Sequence, residues 1–338
     1  MRRQPFVLSS CCAVAVALLA LGSTARTRQQ PPLPAPEEPF RVEVQVVNVY
    51  CTVKEKSGAL VTNLTREEFE VREDGKPQQI LYFSRETTLP LTLGLLVDSS
   101  VSQGRLIGKE QRAASAFLAQ VIGPRDAAFL ISFDVSVDLL QDVTGGVKFL
   151  QHALGAIRTQ GSTASGGPAS GPFPPMQTGG THLYDAVFLA SDEVLKREAG
   201  RKAIILITDG QDQGSRMSRD EAIEAAQRTD VIVYGILFVD REFYGYGGGY
   251  SGDSTLKKMA EETGGRMFRA VNDRELDTAF EQISEELRSQ YSIGYSPSNS
   301  ARDGSYRRID LRVRGGGLRV QARKGYYAPN DGTVAPSR

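Results

Sequence analysis

A short apolar stretch that ends in one carboxylate and two hydroxyls constrains the fold of this chain most strongly. Residues 91–97 are almost entirely apolar, which is typical of a strand buried on both faces of a parallel sheet. Asp98, Ser100 and Ser102 follow directly, and the apolar spacing beyond them predicts a helix over residues 105–122. We therefore expect the three side chains on the loop leaving the carboxyl end of a central strand, where ligands bind in open α/β sheets.

Oxygen-bearing side chains at two further places complete a candidate metal site. Thr181 precedes a predicted helix, and Asp209 ends a second apolar strand. Hydroxyl and carboxylate oxygens favour a hard cation such as Mg²⁺ or Ca²⁺ over zinc, which prefers His and Cys. The alternative is that Asp98 and Ser100 only cap the following helix, but capping explains neither Thr181 nor Asp209.

These five residues resemble the metal-ion-dependent adhesion site (MIDAS) of von Willebrand factor type A domains. The family pattern is Asp-x-Ser-x-Ser, a distant Thr and a distant Asp, often within Thr-Asp-Gly. It is matched by a set of residues in the same order: Asp98, Ser100, Ser102, Thr181 and Asp209. The resemblance implies direct coordination by the three hydroxyls, with the carboxylates bound directly or through water. It also implies a vacant coordination position that takes an Asp or Glu of a protein partner.

The metal and its supporting groups are less closely defined by the sequence. Mg²⁺ fits best because it retains waters in an octahedral shell, and Mn²⁺ or Ca²⁺ are the alternatives. Asp185 and Asp212 are candidates for side chains that support the metal ligands by hydrogen bonds. Either could equally be a solvated surface charge.

Alternating strand and helix patterns predict a doubly wound α/β domain over residues 89–288. Its mostly parallel sheet should be covered on both faces, as in the type A fold that the resemblance implies. The close strand pair 127–133 and 135–140 predicts one antiparallel edge strand. The remaining strands are predicted at 91–97, 203–208, 231–238 and 266–269, and the helices at 105–122, 146–157, 182–197, 218–228, 254–263 and 273–288.

Residues on either side of this domain have the period-two pattern of β-strands. Neither the N-terminal segment 40–88 nor the C-terminal segment 289–328 has enough strands for a sandwich of its own. We therefore expect them to pair into one β-sandwich, with the α/β domain inserted and residues 329–338 as a tail. Head, core and tail together resemble secreted type A proteins of acidobacteria, on residues 70–78 and 324–328.

The N-terminus has the features of a secretory signal peptide. A basic start, an apolar run and small residues predict cleavage near Ala25, and residues 26–39 have the composition of a linker. The alternative is an uncleaved membrane anchor, for which the apolar run is short. Cleavage would leave Cys51 as the remaining cysteine, predicted to be a small buried residue, with an intermolecular disulfide as the alternative.

Two segments of unusual composition should lie near the metal site. Residues 161–180 are rich in Gly, Ser and Pro and lead into Thr181. The second segment follows strand 231–238 and places aromatic side chains among glycines, a composition typical of adaptable binding surfaces. Its predicted partner-binding residues are Phe243, Tyr244, Tyr246 and Tyr250.

The sequence favours binding over catalysis. Its two histidines, His152 and His182, have no nearby Cys or Ser nucleophile motif, and no Gly-x-Ser-x-Gly is present. We therefore expect a secreted or periplasmic, metal-dependent module that binds an acidic group of a protein partner, with no catalytic residues. A structural or assembly protein of the cell envelope, in which the metal only stabilises the fold, is the alternative. A metal-assisted hydrolase is less favoured, although Asp98 and Asp209 would flank the ion.

Charge distribution argues against other partner classes. The chain has 40 basic and 40 acidic residues, and nothing in the sequence clusters the basic ones into a face for nucleic acid. Apart from a possible N-terminal anchor, the sequence gives no reason to expect a membrane partner.

Overall fold

The computed structural model describes residues 45–85, 89–159, 180–239 and 252–330. Within these residues the strands, numbered in chain order, are β1 Val47–Lys54, β2 Phe69–Glu73, β3 Lys76–Gln78, β4 Ile80–Ser84, β5 Leu91–Asp98, β6 Ala127–Phe133, β7 Val137–Thr144, β8 Arg201–Thr208, β9 Val231–Phe238, β10 Met267–Ala270, β11 Tyr291–Tyr295, β12 Tyr306–Val313, β13 Arg319–Ala322 and β14 Gly325–Tyr327. The α-helices are α1 Ile107–Val121, α2 Val147–Ala156, α3 Leu183–Leu189, α4 Arg219–Arg228, α5 Gly252–Thr263 and α6 Asp273–Arg288.

Six strands form the central sheet, in the order β10-β9-β8-β5-β6-β7. Neighbouring strands are parallel except for β6 and β7, which are antiparallel and place β7 at the edge. Every residue of β5 and β9 is buried, as expected for strands that helices cover on both sides. Separate apolar clusters pack on the two faces, one around Phe117 and Phe280 and the other around Phe129 and Leu256.

Strands from both ends of the chain form two further four-stranded sheets. Their orders are β13-β1-β11-β4 and β14-β12-β2-β3, so each sheet combines strands from before and after the central domain. The two sheets share one apolar cluster, which includes Val49, Phe69, Tyr291 and Ile309. This arrangement follows from the alternating pattern, because each sheet buries one face and needs the other sheet to cover it.

The predicted fold class is confirmed: a mostly parallel α/β sheet with flanking sheets of N- and C-terminal strands. One predicted element differs in detail. The helix predicted over 182–197 is α-helical only to Leu189; it continues as a π-turn, Ala190–Val194, and a 3₁₀ turn, Leu195–Arg197. The wider turn keeps Ala190 and Leu195, five positions apart, both buried.

The edge strand also differs from its predicted bounds. It runs from Val137 to Thr144, two residues later at its start and four later at its end than the predicted 135–140. Asp134 and Ser136 form a hydrogen-bonded turn, which delays the start of the strand. Pairing with β6 then continues past Leu140 through register shifts, as expected for an irregular edge strand.

Several predictions fall outside the described residues. These concern the signal peptide, the linker, the tail and the two segments of unusual composition. In the part of the chain that is described, no helix has the length and apolarity to cross a membrane. Cys51 is buried in β1 and unbonded, in agreement with its prediction as a small core residue.

A buried carboxylate joins the central domain to the outer sheets. Glu286, in the last turns of α6, is 1% exposed in its side chain, and its Oε1 lies 2.6 Å from Lys54 Nζ and 2.7 Å from Arg266 Nε. Gln321 of β13 donates to its Oε2 over 3.2 Å. Strands from both ends of the chain are thus tied to one helix, so the carboxylate should contribute strongly to stability.

We predict that Glu286→Gln lowers the free energy of unfolding by about 3 kcal/mol, because it leaves Lys54 charged and poorly compensated in a largely buried place. Urea denaturation measures this change. The matched control is Glu285→Gln, an exposed neighbour on the same helix, which should change the free energy by less than ~0.5 kcal/mol. Equal effects of the two variants would contradict the role of Glu286.

Candidate metal centre

The ends of two neighbouring strands place the two predicted carboxylate ligands. β5 pairs in parallel with β8, with Val97 opposite Ile207, and Asp98 and Asp209 come at the carboxyl ends of these strands. Asp98 is completely buried and Asp209 is 2% exposed. Because both strands are buried and paired in parallel, their carboxyl ends lie side by side, and the two acids are held near each other at one edge of the sheet.

Hydrogen bonds connect four of the five predicted ligands. The Ser100 amide donates to Asp98 Oδ1 over 2.9 Å, and the Ser100 and Ser102 hydroxyls are 3.0 Å apart. Ser102 Oγ in turn donates to Asp209 Oδ2 over 2.7 Å. Ser100 is extended, and the 3₁₀ turn after it returns the chain so that Ser102 faces Asp209. The spacing of two between the hydroxyls therefore places both beside the carboxylates.

Thr181 joins this group through the backbone. Its amide and carbonyl pair with those of Gln213, at 3.0 and 2.9 Å, in an isolated antiparallel bridge. Gln213 belongs to the loop that begins at Asp209, whose Oδ1 accepts from the Gln211 amide. Thr181 is buried, 7% exposed, and lies on the segment that leads into α3. The loop after β8 thus carries one predicted ligand and positions another.

Asp185 and Asp212 bind this same pair of segments together. Asp212 Oδ1 accepts from the Tyr184 amide over 3.3 Å and from Ser215 Oγ over 2.5 Å. Asp185 accepts from the backbone amides of Arg216 and Met217. Both carboxylates therefore connect the Thr181 segment to the Asp209 loop by hydrogen bonds, which is a positioning role.

Close backbone packing fixes the Asp209 loop from its other side. Gly210 has a φ of +77°, and a Cβ at this position would lie 2.6 Å from the carbonyl oxygen of Gly252. A side chain is therefore excluded by both the conformation and the contact. The Gly in Thr-Asp-Gly lets the first turn of α5 approach the metal site.

The electrostatics of the site favour a cation. Burial, and then the negative charge of Asp209, raise the pKa of Asp98 to about 7, although hydrogen bonds from Ser100 and Thr208 oppose the rise. Two neighbouring buried carboxylates are costly unless a positive charge offsets them. Their oxygens and the nearby hydroxyls are the donors that Mg²⁺ and Mn²⁺ prefer, so the residues fit the predicted metal.

The donor set requires hydroxyl ligands. Across the described ranges, no group of three or more His, Cys, Asp or Glu side chains could hold a metal ion. With two carboxylates in the set, any cation here depends on Ser100, Ser102 and Thr181. Metal binding by these residues stays a prediction, which a structure determined with the metal ion present would test.

The sequence analysis missed residues that shape the site. Thr208 Oγ1 donates to Asp98 Oδ2 over 2.5 Å, and Ser99 Oγ donates to Asp134 Oδ2 over 3.3 Å. Glu110 is not among the predicted site residues, yet it is fully buried. It lies three, four and seven positions before Ala113, Ala114 and Phe117, which form the buried face of α1. A charged residue on an apolar helical face was the signal available in the sequence.

The predicted partner-binding residues Phe243, Tyr244, Tyr246 and Tyr250 lie outside the described residues, as does most of segment 161–180. The described residues on either side of these two segments lie close to the predicted site. The aromatic segment follows Val239, directly after β9, and rejoins the described chain at Gly252, against Asp209 and Gly210. The other segment rejoins at Gly180, directly before Thr181.

Comparison with known families finds a match within the central domain. Residues 172–282 match the family model of the von Willebrand factor type A domain. This part of the chain is similar to a von Willebrand factor type A domain. The matched range includes Thr181 and Asp209, whereas the motif that begins at Asp98 precedes it. The wider domain has the α/β fold class expected for it, with a six-stranded, mostly parallel sheet.

Several solved structures resemble the chain at low identity. Proximal thread matrix protein 1 from the mussel byssus, with a zinc-occupied MIDAS motif, is 15% identical with a TM-score of 0.49, covering 64% of this chain and 50% of that one. BatB from Bacteroides thetaiotaomicron is 20% identical with a TM-score of 0.44, covering 58% and 97%. The domain of the type V pilus tip protein Mfa5 from Porphyromonas gingivalis is 15% identical with a TM-score of 0.43, covering 59% and 95%. This chain spans half the length of the mussel protein, and no match was found among curated proteins.

The raised pKa of Asp98 predicts how the metal-free protein responds to pH. Folded protein retains a proton that unfolded protein releases between the ordinary value of 3.8 and about 7. The free energy of unfolding should therefore fall as pH rises through this window. Urea denaturation in EDTA at a series of pH values measures the slope, and Asp98→Asn should reduce it. An unchanged slope in Asp98→Asn would contradict the shift.

Proposed function

We propose that this protein is an extracytoplasmic, metal-dependent protein-binding module of the adhesion type. Its type A domain would bind a divalent cation, preferably Mg²⁺, and through it an acidic group of a protein partner. The observation that carries this proposal is the buried pair Asp98 and Asp209, hydrogen-bonded to Ser100 and Ser102 at the carboxyl edge of the sheet.

Charge balance supports recognition of an acidic ligand. Two carboxylates formally neutralise a divalent cation, and three hydroxyls add no charge. Each carboxylate is also engaged by protein donors, since Asp98 accepts from Thr208 and Ser100, and Asp209 accepts from Ser102. Engaged carboxylates offset less of the charge on a cation. An Asp or Glu from a partner would supply both an oxygen ligand and the missing negative charge.

Cellular location belongs to the same proposal. The basic start, apolar run and small residues before Ala25 support export, to the periplasm or beyond, with retention by an uncleaved N-terminus as the variant. We propose binding without catalysis, because neither histidine has a nearby Cys or Ser nucleophile motif and the sequence has no Gly-x-Ser-x-Gly.

A structural role is the second candidate, and one observation favours it. The predicted ligands already bridge the loops after β5 and β8, so a cation there would strengthen the joint between two central strands. Metal dependence of melting alone would fit this role. Metal dependence of partner capture is needed for the first.

Metal binding should be visible as thermal stabilisation. We predict that Mg²⁺ or Mn²⁺ raises the melting temperature of the protein after chelator treatment. At ~100 times the Kd, the free energy of unfolding should rise by about 2.7 kcal/mol. Ser100→Ala should lose most of this rise. The matched control is Ser99→Ala, whose hydroxyl bonds Phe133 and Asp134 and not the predicted ligands; it should keep the rise. If the melting temperature of the unmodified protein does not rise with either ion, the proposed metal site is contradicted.

Ligand chemistry can be tested without knowing the partner. We predict that a phage-displayed peptide library, selected on the protein in Mg²⁺ and released with EDTA, yields peptides that share an Asp or Glu. Exchange of that residue for Asn or Gln should abolish binding, since a neutral amide replaces the charged ligand. Asp98→Ala serves as the control surface. Peptides that bind equally well in EDTA, or without their carboxylate, would refute recognition through the metal.

A further inference from the structure

Two fully buried polar side chains near the metal site have no hydrogen-bond partner among the described residues. Gln103 directly follows Ser102 in the 3₁₀ turn, and neither its Oε1 nor its Nε2 is bonded. Glu110 lies in the first turn of α1, and both of its carboxyl oxygens are likewise without a partner. Neither side chain has any exposure to solvent.

Such groups are costly to leave unpaired. A buried donor or acceptor without a partner costs about 1–3 kcal/mol, and a charged one costs more. Native proteins therefore keep few of them, and each calls for an explanation such as a water molecule or an ion. Two buried, unpaired side chains beside one site indicate that a ligand binds there and satisfies them.

The electrostatic surroundings of Glu110 connect it with the site. Burial raises the pKa of Glu110 well above its ordinary value, and the charges of Asp98 and Asp209 raise it further. Backbone geometry agrees, since the Leu106 amide donates to the Gln103 carbonyl over 2.8 Å and the Glu110 amide donates to the Leu106 carbonyl over 3.1 Å, which joins Glu110 to the turn that carries Ser102. It does not form with them a three-carboxylate group able to hold a metal directly, since no such group occurs in the described part of the chain.

We propose that Gln103 and Glu110 form the inner wall of the metal site and hydrogen-bond the waters that a bound divalent cation retains. This inference rests on the proposed metal site. Mg²⁺ and similar ions keep several waters, whose hydrogens need acceptors in a buried place. The Glu110 carboxylate and the Gln103 amide oxygen supply such acceptors, and the Gln103 amide nitrogen supplies a donor.

Glu110 would bind such a water whether or not it is ionised, since a protonated carboxyl group retains an oxygen that accepts a hydrogen bond. Glu110 and Gln103 are thus positioning residues, which set metal affinity without being direct ligands.

The test is titration of chelator-stripped, full-length protein with Mn²⁺, by calorimetry at constant pH. Glu110→Gln should raise the Mn²⁺ dissociation constant about 10- to 100-fold, the range typical of groups that support metal ligands. The melting temperature without metal should stay the same or rise, because a neutral amide removes a buried acid. A merely structural role would instead lower the melting temperature and leave Mn²⁺ affinity unchanged.

Two more variants make the outcome unambiguous. Gln103→Met keeps the volume and removes the amide, and it should also weaken Mn²⁺ binding even if Glu110→Gln fails to fold. The matched control is Glu73→Gln, a buried acid of the outer sheets that accepts from Tyr295 and Tyr326; it should lower stability without changing Mn²⁺ affinity.

The inference is overturned if Glu110→Gln and Gln103→Met bind Mn²⁺ as tightly as the unmodified protein does. That result would leave the metal site itself in place. If the unmodified protein binds no Mn²⁺, the metal site proposed above fails, and this inference fails with it.

Discussion

The proximity of two buried carboxylates at the ends of β5 and β8 is the constraint on which the rest of the site depends. Asp98 and Asp209 are held there by parallel pairing that leaves neither strand free to move away. Burial, and then repulsion from Asp209, raises the pKa of Asp98, and hydroxyl and amide donors from Thr208, Ser100 and Ser102 only partly offset the cost of holding the two acids together. A cation is the simplest group that would satisfy both acids at once.

The rest of the fold offsets the cost of holding two buried acids at this edge. Apolar packing on the two faces of the central sheet, and in the shared core of the outer sheets, supplies stability that offsets the unfavourable burial of the two acids. The link through Glu286 ties α6 to strands from both ends of the chain. An edge that holds two buried carboxylates close together needs a rigid scaffold, because a softer one would relax by separating them.

Much of the fold could be predicted from the sequence because the signals were local and mutually consistent. Residues 91–97 and 231–238 are apolar throughout, so strands buried on both faces were the natural prediction. The order of Asp98, Thr181 and Asp209 at successive segment ends was enough to predict a site, and the structure places Asp98 and Asp209 at one sheet edge. The end of the α-helix predicted over 182–197 could not be predicted, since the apolar periodicity does not distinguish an α-turn from the π-turn at Ala190–Val194.

The remaining features depend on contacts between distant segments. Asp185 and Asp212 could be singled out by position, but their role in joining the Thr181 and Asp209 segments required the backbone amides of Arg216 and Tyr184 to be located. Glu110 illustrates the opposite case. Its spacing from Ala113 and Phe117 already indicated burial, but only the fold shows that it is close to the charges of Asp98 and Asp209.

The most direct test of the account is a crystal structure of the protein grown with Mn²⁺, with the anomalous difference density measured near the manganese absorption edge. The account predicts one peak in the cleft between Asp98 and Asp209, bound by the hydroxyls of Ser100, Ser102 and Thr181. A peak at another place, with this cleft empty of metal, would contradict the account.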